Sequence, residues 1–95
     1  MNAHRWTHQA FLREDVLVQP LGQESVLLNL DSEQYFGLDD VGTAMLQCLQ
    51  ESPSIQAALE ALLMKYDVES GQLQHDLLEL IQKLEAHGLV QVTAP

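Results

Sequence analysis

The sequence predicts an α+β domain in which a three-stranded antiparallel sheet is followed by three helices. Three observations carry this. Apolar residues recur at the two-residue period of strands before residue 39 and at helical spacing after it. The turn-forming groups Pro20-Leu21-Gly22-Gln23 and Asp31-Ser32-Glu33 join the strands by short connections, which makes sequential neighbours antiparallel. The length of 95 residues supports one modest core and no cleft between two lobes.

Residues 1–12 show little periodicity, with Trp6 and Phe11 as their only large anchors, and are expected to form a flexible arm ahead of a domain spanning residues 13–92. Residues 15–19 read as the first strand. In the second, Val26, Leu28 and Leu30 alternate with Leu27 and Asn29. Residues 34–38 are the returning arm, which carries Tyr35 and Phe36; being short, it is expected at a sheet edge. Asp39 is placed to cap a helix over residues 40–50, with Val41, Met45, Cys48 and Leu49 on one stripe, until Pro53 disfavours helical geometry at Ser52. Ser54 caps a second helix whose stripe is Ile55, Leu59, Leu62 and Tyr66. The third runs over residues 70–87, with Leu73, Leu77, Leu80 and Leu84 on one face, widened by Leu78 and Ile81, and Gly88 stops it. Residues 89–92 resume an extended pattern. The order is that of a winged helix-turn-helix-like domain, with the last two helices as the helix-turn-helix pair.

Charge narrows the partners. Fourteen acidic residues against 4 Lys plus Arg give a formal charge of −10, and the cations Arg5, Arg13, Lys65 and Lys83 are scattered. Phosphate neutralisation, the main source of affinity for nucleic acid, has no patch to work from. The exposed side of the third helix (Gln72, Gln74, His75, Asp76, Glu79, Gln82, Lys83, Glu85) carries three carboxylates and one lysine, which opposes a major groove lined by phosphates. The winged-helix order nevertheless makes a regulator binding DNA or a protein partner the alternative. A single cysteine, with no secretory signal and no apolar run of membrane-spanning length, points to the cytoplasm and away from a membrane partner.

Catalytic chemistry finds no support. His4 and His8 are spaced i, i+4 without the glutamate of an HExxH site or an obvious third ligand, and His75 and His87 lie more than three helical turns apart. Cys48 sits on an apolar stripe with no basic neighbour to lower its pKa. Asp39-Asp40 are explained by helix capping. No glycine-rich phosphate loop, GxSxG or CxxC is present. The expectation is a non-enzyme with no cofactor, no metal and no catalytic residue.

A binding surface is legible instead. An edge strand at residues 34–38 presents unpaired backbone donors and acceptors, the requirement for adding a guest strand or for pairing with a second copy in a homodimer. The chain here resembles the PqqD-like family, or RiPP recognition elements, which bind leader peptides of ribosomally made, modified peptides. The resemblance covers residues 15–92. It rests on a hydrophobic strand, LDSEQYFGLDDVGTAML at 30–46, KYDVESGQL at 65–73 and DLLELIQKLEAHGLV at 76–90. YFGLDDVG is similar to the leader-binding proteins of lasso-peptide pathways. One departure is Glu69-Ser70-Gly71, where the family commonly has Asp-Pro-Glu; Ser70 is the expected cap.

The resemblance implies binding without catalysis. A precursor's leader adds to the third strand, lies in a groove walled by the third helix, and is presented to a separate leader peptidase or modifying enzyme. The candidate peptide-binding residues are Val26, Leu28, Leu30, Gln34, Tyr35, Phe36, Gly37 and Leu38 on the strands, and Asp76, Leu77, Leu80 and Lys83 on the helix. Alternation leaves open which of the apolar ones fill the core.

Overall fold

The computed structural model describes residues 6–94. Four strands come first, β1 (Gln9–Leu12), β2 (Val16–Leu21), β3 (Glu24–Asn29) and β4 (Gln34–Leu38). Three helices follow, α1 (Asp40–Glu51), α2 (Ile55–Lys65) and α3 (Ser70–Ala86), and β5 (Val90–Thr93) closes the order. β2, β3 and β4 form the expected antiparallel meander with β3 at its centre, so the fold is α+β and winged-helix-like.

The flexible arm expected over residues 1–12 is corrected at residues 9–12, which are strand. β1 pairs antiparallel with β5 from Gln9↔Thr93 to Leu12↔Val90, and Ala10 is only 2% exposed within the helical core. The carbonyl of His8 also accepts from the Ile55 N–H at the start of α2 (2.8 Å). The partner strand lies at the other end of the sequence, and the inward residue is an alanine, so local periodicity held no sign of it.

Strand phase follows from which residues face the helices. In β3 the buried positions are Ser25, Leu27 and Asn29, while Val26 and Leu28 lie on the outer face. Leucines stand on both faces, so alternation could not choose. Asn29 tolerates burial because its amide is satisfied: Oδ1 accepts from the N–H groups of Asp31 (2.9 Å) and Ser32 (3.2 Å), and Nδ2 donates to the Gly88 carbonyl (3.3 Å). This links the β3–β4 turn to the end of α3. Within that turn Glu33 takes φ 60, and after α3 Gly88 takes φ 70 as the helix-ending residue.

Side chains form two clusters. One joins Met45 and Leu49 of α1, Ile55, Leu59 and Leu62 of α2 and Leu73, Leu77 and Ile81 of α3, with Ala10. The other joins the sheet to the helices through Val16, Leu27, Leu38, Leu46, Leu84, Leu89 and Val90. Leu80, partly buried, packs against both. Each fully buried leucine or isoleucine stabilises the fold by about 1.5–3 kcal/mol.

The helix starts are capped. Asp39 Oδ1 accepts from Gly42 N–H (2.8 Å) and Ser54 Oγ from Ala57 N–H (3.1 Å), as expected. At α3 the cap is Glu69, whose Oε1 accepts from Gln72 N–H (2.9 Å), and not Ser70. Gly71 explains the change, because a Cβ there would lie 3.3 Å from Glu69 Oε1; its absence leaves room for the longer side chain to fold over the first turn.

Candidate functional site

The meander has two edges, and they are not equivalent. β2 carries Pro20 near its end, where the row of backbone donors loses an N–H. β4 contains no proline, and alternate residues along it turn both N–H and C=O away from β3. β4 is therefore the edge with an intact ladder to offer. A surface hollow of about 460 Å³ lies at residues 11–15 and Gln91, where Arg13 and Asp15 approach to 4.0 Å, and no residue of β3 or β4 lines it.

Two hollows lie near the two ends of β4, each lined in part by α3 or its C-terminal cap. At the start of β4, Gln34 and Phe36 share a shallow recess with Asn29, His87 and Leu89, and the Phe36 and His87 rings meet edge to face at 4.9 Å and 64°. The His87 ring is held from behind by a hydrogen bond between Nδ1 and the Lys83 carbonyl (2.8 Å). Beyond the end of β4, a cavity of about 240 Å³ opens between α1 and α3, with Asp39, Met45, Asp76, Glu79, Leu80 and Lys83 in its lining.

The sequence-derived candidates divide between groove, outer face and core. Gln34 and Phe36 line the recess at the start of β4, and Asp76, Leu80 and Lys83 line the cavity between α1 and α3. Tyr35 borders the recess but is 74% exposed and stands opposite Leu28; Gly37 stands opposite Val26. Val26 and Leu28 are thus on the sheet's outer face, away from α3. Leu30 lies in the turn after β3, exposed, its N–H bonded to the Asp15 carbonyl (2.8 Å). Leu38 is buried in the sheet–helix cluster, and Leu77, 0% exposed, is core of the helical cluster. Leu77 shares a stripe with Leu80, and the rotation of α3 against the sheet turns one inward and leaves the other at the groove.

His87 is a groove residue the sequence reading missed. Asp76, Leu80, Lys83 and His87 follow i, i+4, i+7, i+11, so the helical period carried the signal. His4, the other half of the pair weighed for metal, lies outside the described residues. Among the described residues, His75, Asp76 and Glu79 bring one donor atom each within 4.8 Å, all from one face of α3. Cys48 is partly buried against the helical core; burial pushes its thiol above the ordinary value, Lys65 draws it partly back and Glu51 adds to the rise. The thiolate needed for nucleophilic chemistry is disfavoured there. No described helix is long and apolar enough to cross a membrane.

A meander with one open, proline-free edge, followed by a helix-turn-helix pair, defines the class: a winged-helix-like domain with an unpaired sheet edge at β4. Residues 24–90 match the family described as coenzyme PQQ synthesis protein D (PqqD), and the chain belongs to that family. Among solved structures it is similar to TbiB1 in complex with the TbiA(beta) leader peptide, with a TM-score of 0.81 and 27% identity over 90% of this chain and 99% of that one. It is also similar to a lasso peptide synthetase B1 complexed with the leader peptide, with a TM-score of 0.78 and 25% identity over 87% of this chain and 98% of that one. No curated protein matches the chain.

Proposed function

We propose that this protein is a non-catalytic leader-peptide recognition protein of the cytoplasm, working in a lasso-type or related pathway. The leader of a ribosomally made precursor adds as a strand to β4 and is presented to a separate leader peptidase or modifying enzyme. The observation that carries this is the open β4 edge facing α3, in a fold that superposes on leader-bound proteins over nearly their whole length. Backbone pairing with β4 sets the register, and side chains set the choice of guest. Phe36 and Leu80 supply apolar contact, while Asp76 and Lys83 stand at the helical side.

The energetics permit useful affinity. A leader that is disordered when free must offset an ordering cost of about 2–5 kcal/mol. Two or three apolar anchors at about 1.5–3 kcal/mol each, together with the strand hydrogen bonds, exceed it. Titration of a fluorescein-labelled leader peptide, taken from the precursor encoded beside this gene and followed by anisotropy, is expected to saturate. Absence of saturable binding would overturn the assignment.

A further inference from the structure

The two ends of the groove differ chemically. At the start of β4 the recess is lined by Phe36, His87 and Leu89 and contains no carboxylate. Past the end of β4, the cavity of about 240 Å³ has the buried Met45 and the half-buried Leu80 among its apolar lining, with Asp39, Asp76, Glu79 and Lys83 around them. Three carboxylates there face one ammonium. Asp39 uses Oδ1 on the Gly42 N–H (2.8 Å) and Asp76 uses Oδ1 on the Gln72 amide (2.9 Å), so each keeps its second oxygen. Carboxylate oxygens of Asp76 and Glu79 lie within 4.8 Å of one another, a span that one cationic head bridges.

Resting on the leader-binding reading above, we propose that this cavity is a subsite for a basic side chain of the guest. Its methylenes lie on Met45 and Leu80 and its charged head reaches Asp76 and Glu79. An apolar lining with an acidic rim is the environment that a long lysine or arginine side chain satisfies along its whole length. A bare metal ion would use the rim and leave the apolar lining uncovered. Because the His87 end has no such rim, the groove distinguishes the two ends of the bound segment. Apolar anchors fix the affinity, and the cation fixes which way round the leader is seated. The excess of negative charge on the whole chain, −10, adds attraction for the same feature during encounter.

The test is a charge-deletion cycle. A fluorescein-labelled peptide with the leader sequence of the precursor encoded beside this gene is titrated alongside copies in which each Lys or Arg in turn becomes Gln. Titrations use the wild-type chain and the Asp76→Asn/Glu79→Gln double variant, with a chelator present throughout. One replacement is expected to weaken binding to the wild type by about five- to tenfold, to have little further effect on the double variant, and to lose most of its effect at high salt. A leader that binds both proteins equally, with every replacement neutral, overturns the subsite and leaves leader recognition standing. Binding that needs an added divalent ion and disappears with chelator also overturns the subsite, in favour of an ion at His75, Asp76 and Glu79. Absence of saturable binding to the wild-type protein overturns both readings.

Discussion

Leu77 and Leu80 lie three residues apart on the apolar side of α3, and the same truncation should separate stability from binding. Leu77 is 0% exposed and enclosed by the helical cluster, whereas Leu80 is partly exposed at the cavity between α1 and α3. For Leu77→Ala, the lost transfer energy and the cavity left behind cost about 2–5 kcal/mol of folding stability, with no direct loss at the groove. Leu80 is already partly covered by its own protein, so Leu80→Ala costs the fold less, about 1–2 kcal/mol. In the proposed complex a guest covers what remains of Leu80. Half of a leucine's full burial is about 1 kcal/mol or slightly more, which corresponds to roughly five- to tenfold in leader affinity. Denaturant unfolding measures the first quantity and anisotropy titration of the folded fraction measures the second; Leu77→Val replaces the alanine variant where that one unfolds. A Leu77 variant that weakens the leader more than Leu80→Ala does would refute the placement of the groove.

Three further outcomes follow from particular residues. Glu33 holds a left-handed conformation, φ 60, which glycine adopts without steric cost, so Glu33→Gly should raise the denaturant midpoint by the equivalent of about 0.5–1 kcal/mol. Asn29→Ala strips the three bonds to Asp31, Ser32 and Gly88 at once and should cost about 1–3 kcal/mol in the same assay. Cys48, its thiol raised by burial, should react with iodoacetamide more slowly than a free cysteine at neutral pH. The folded state keeps that proton where the unfolded chain releases it. Stability from this group is therefore complete below the thiol's ordinary range and falls as pH rises through it, and the fall should be absent in Cys48→Ala.

Much of the chain was legible because its contacts are local. The turns at residues 20–23 and 31–33 announced the meander, Asp39 and Ser54 announced two helix starts, and the residues 34–38 arm matches β4. The rest depended on partners far away in sequence. β1 is defined by β5, and the burial of Asn29 depends on the Gly88 carbonyl, 59 positions on, which completes its hydrogen bonds. The phase of β3 was undecided because Leu27 and Leu28 are equally apolar, and only the helices determine which of them is covered. Glu69 displaced Ser70 as a cap because Gly71, with no Cβ, makes space for its side chain. At the groove, the stripe of Asp76, Leu80, Lys83 and His87 was present in the helical period, but nothing in the period states how far α3 is rotated toward β4.

The β1–β5 ribbon also sets an order in time. Among the described elements β1, Gln9–Leu12, is made before the others, yet the strand it pairs with, Val90–Thr93, follows all of them. The β2–β3–β4 meander and the capped helices form from near neighbours and can gather while the chain is still growing, whereas the ribbon must wait for a closure between residues 9–12 and residues 90–93. Until then Ala10 has no strand partner and its side of the helical core stays open. The strand addition proposed at β4 therefore has an internal counterpart in β1, a segment that this protein seats on β5 only after the elements between them have formed.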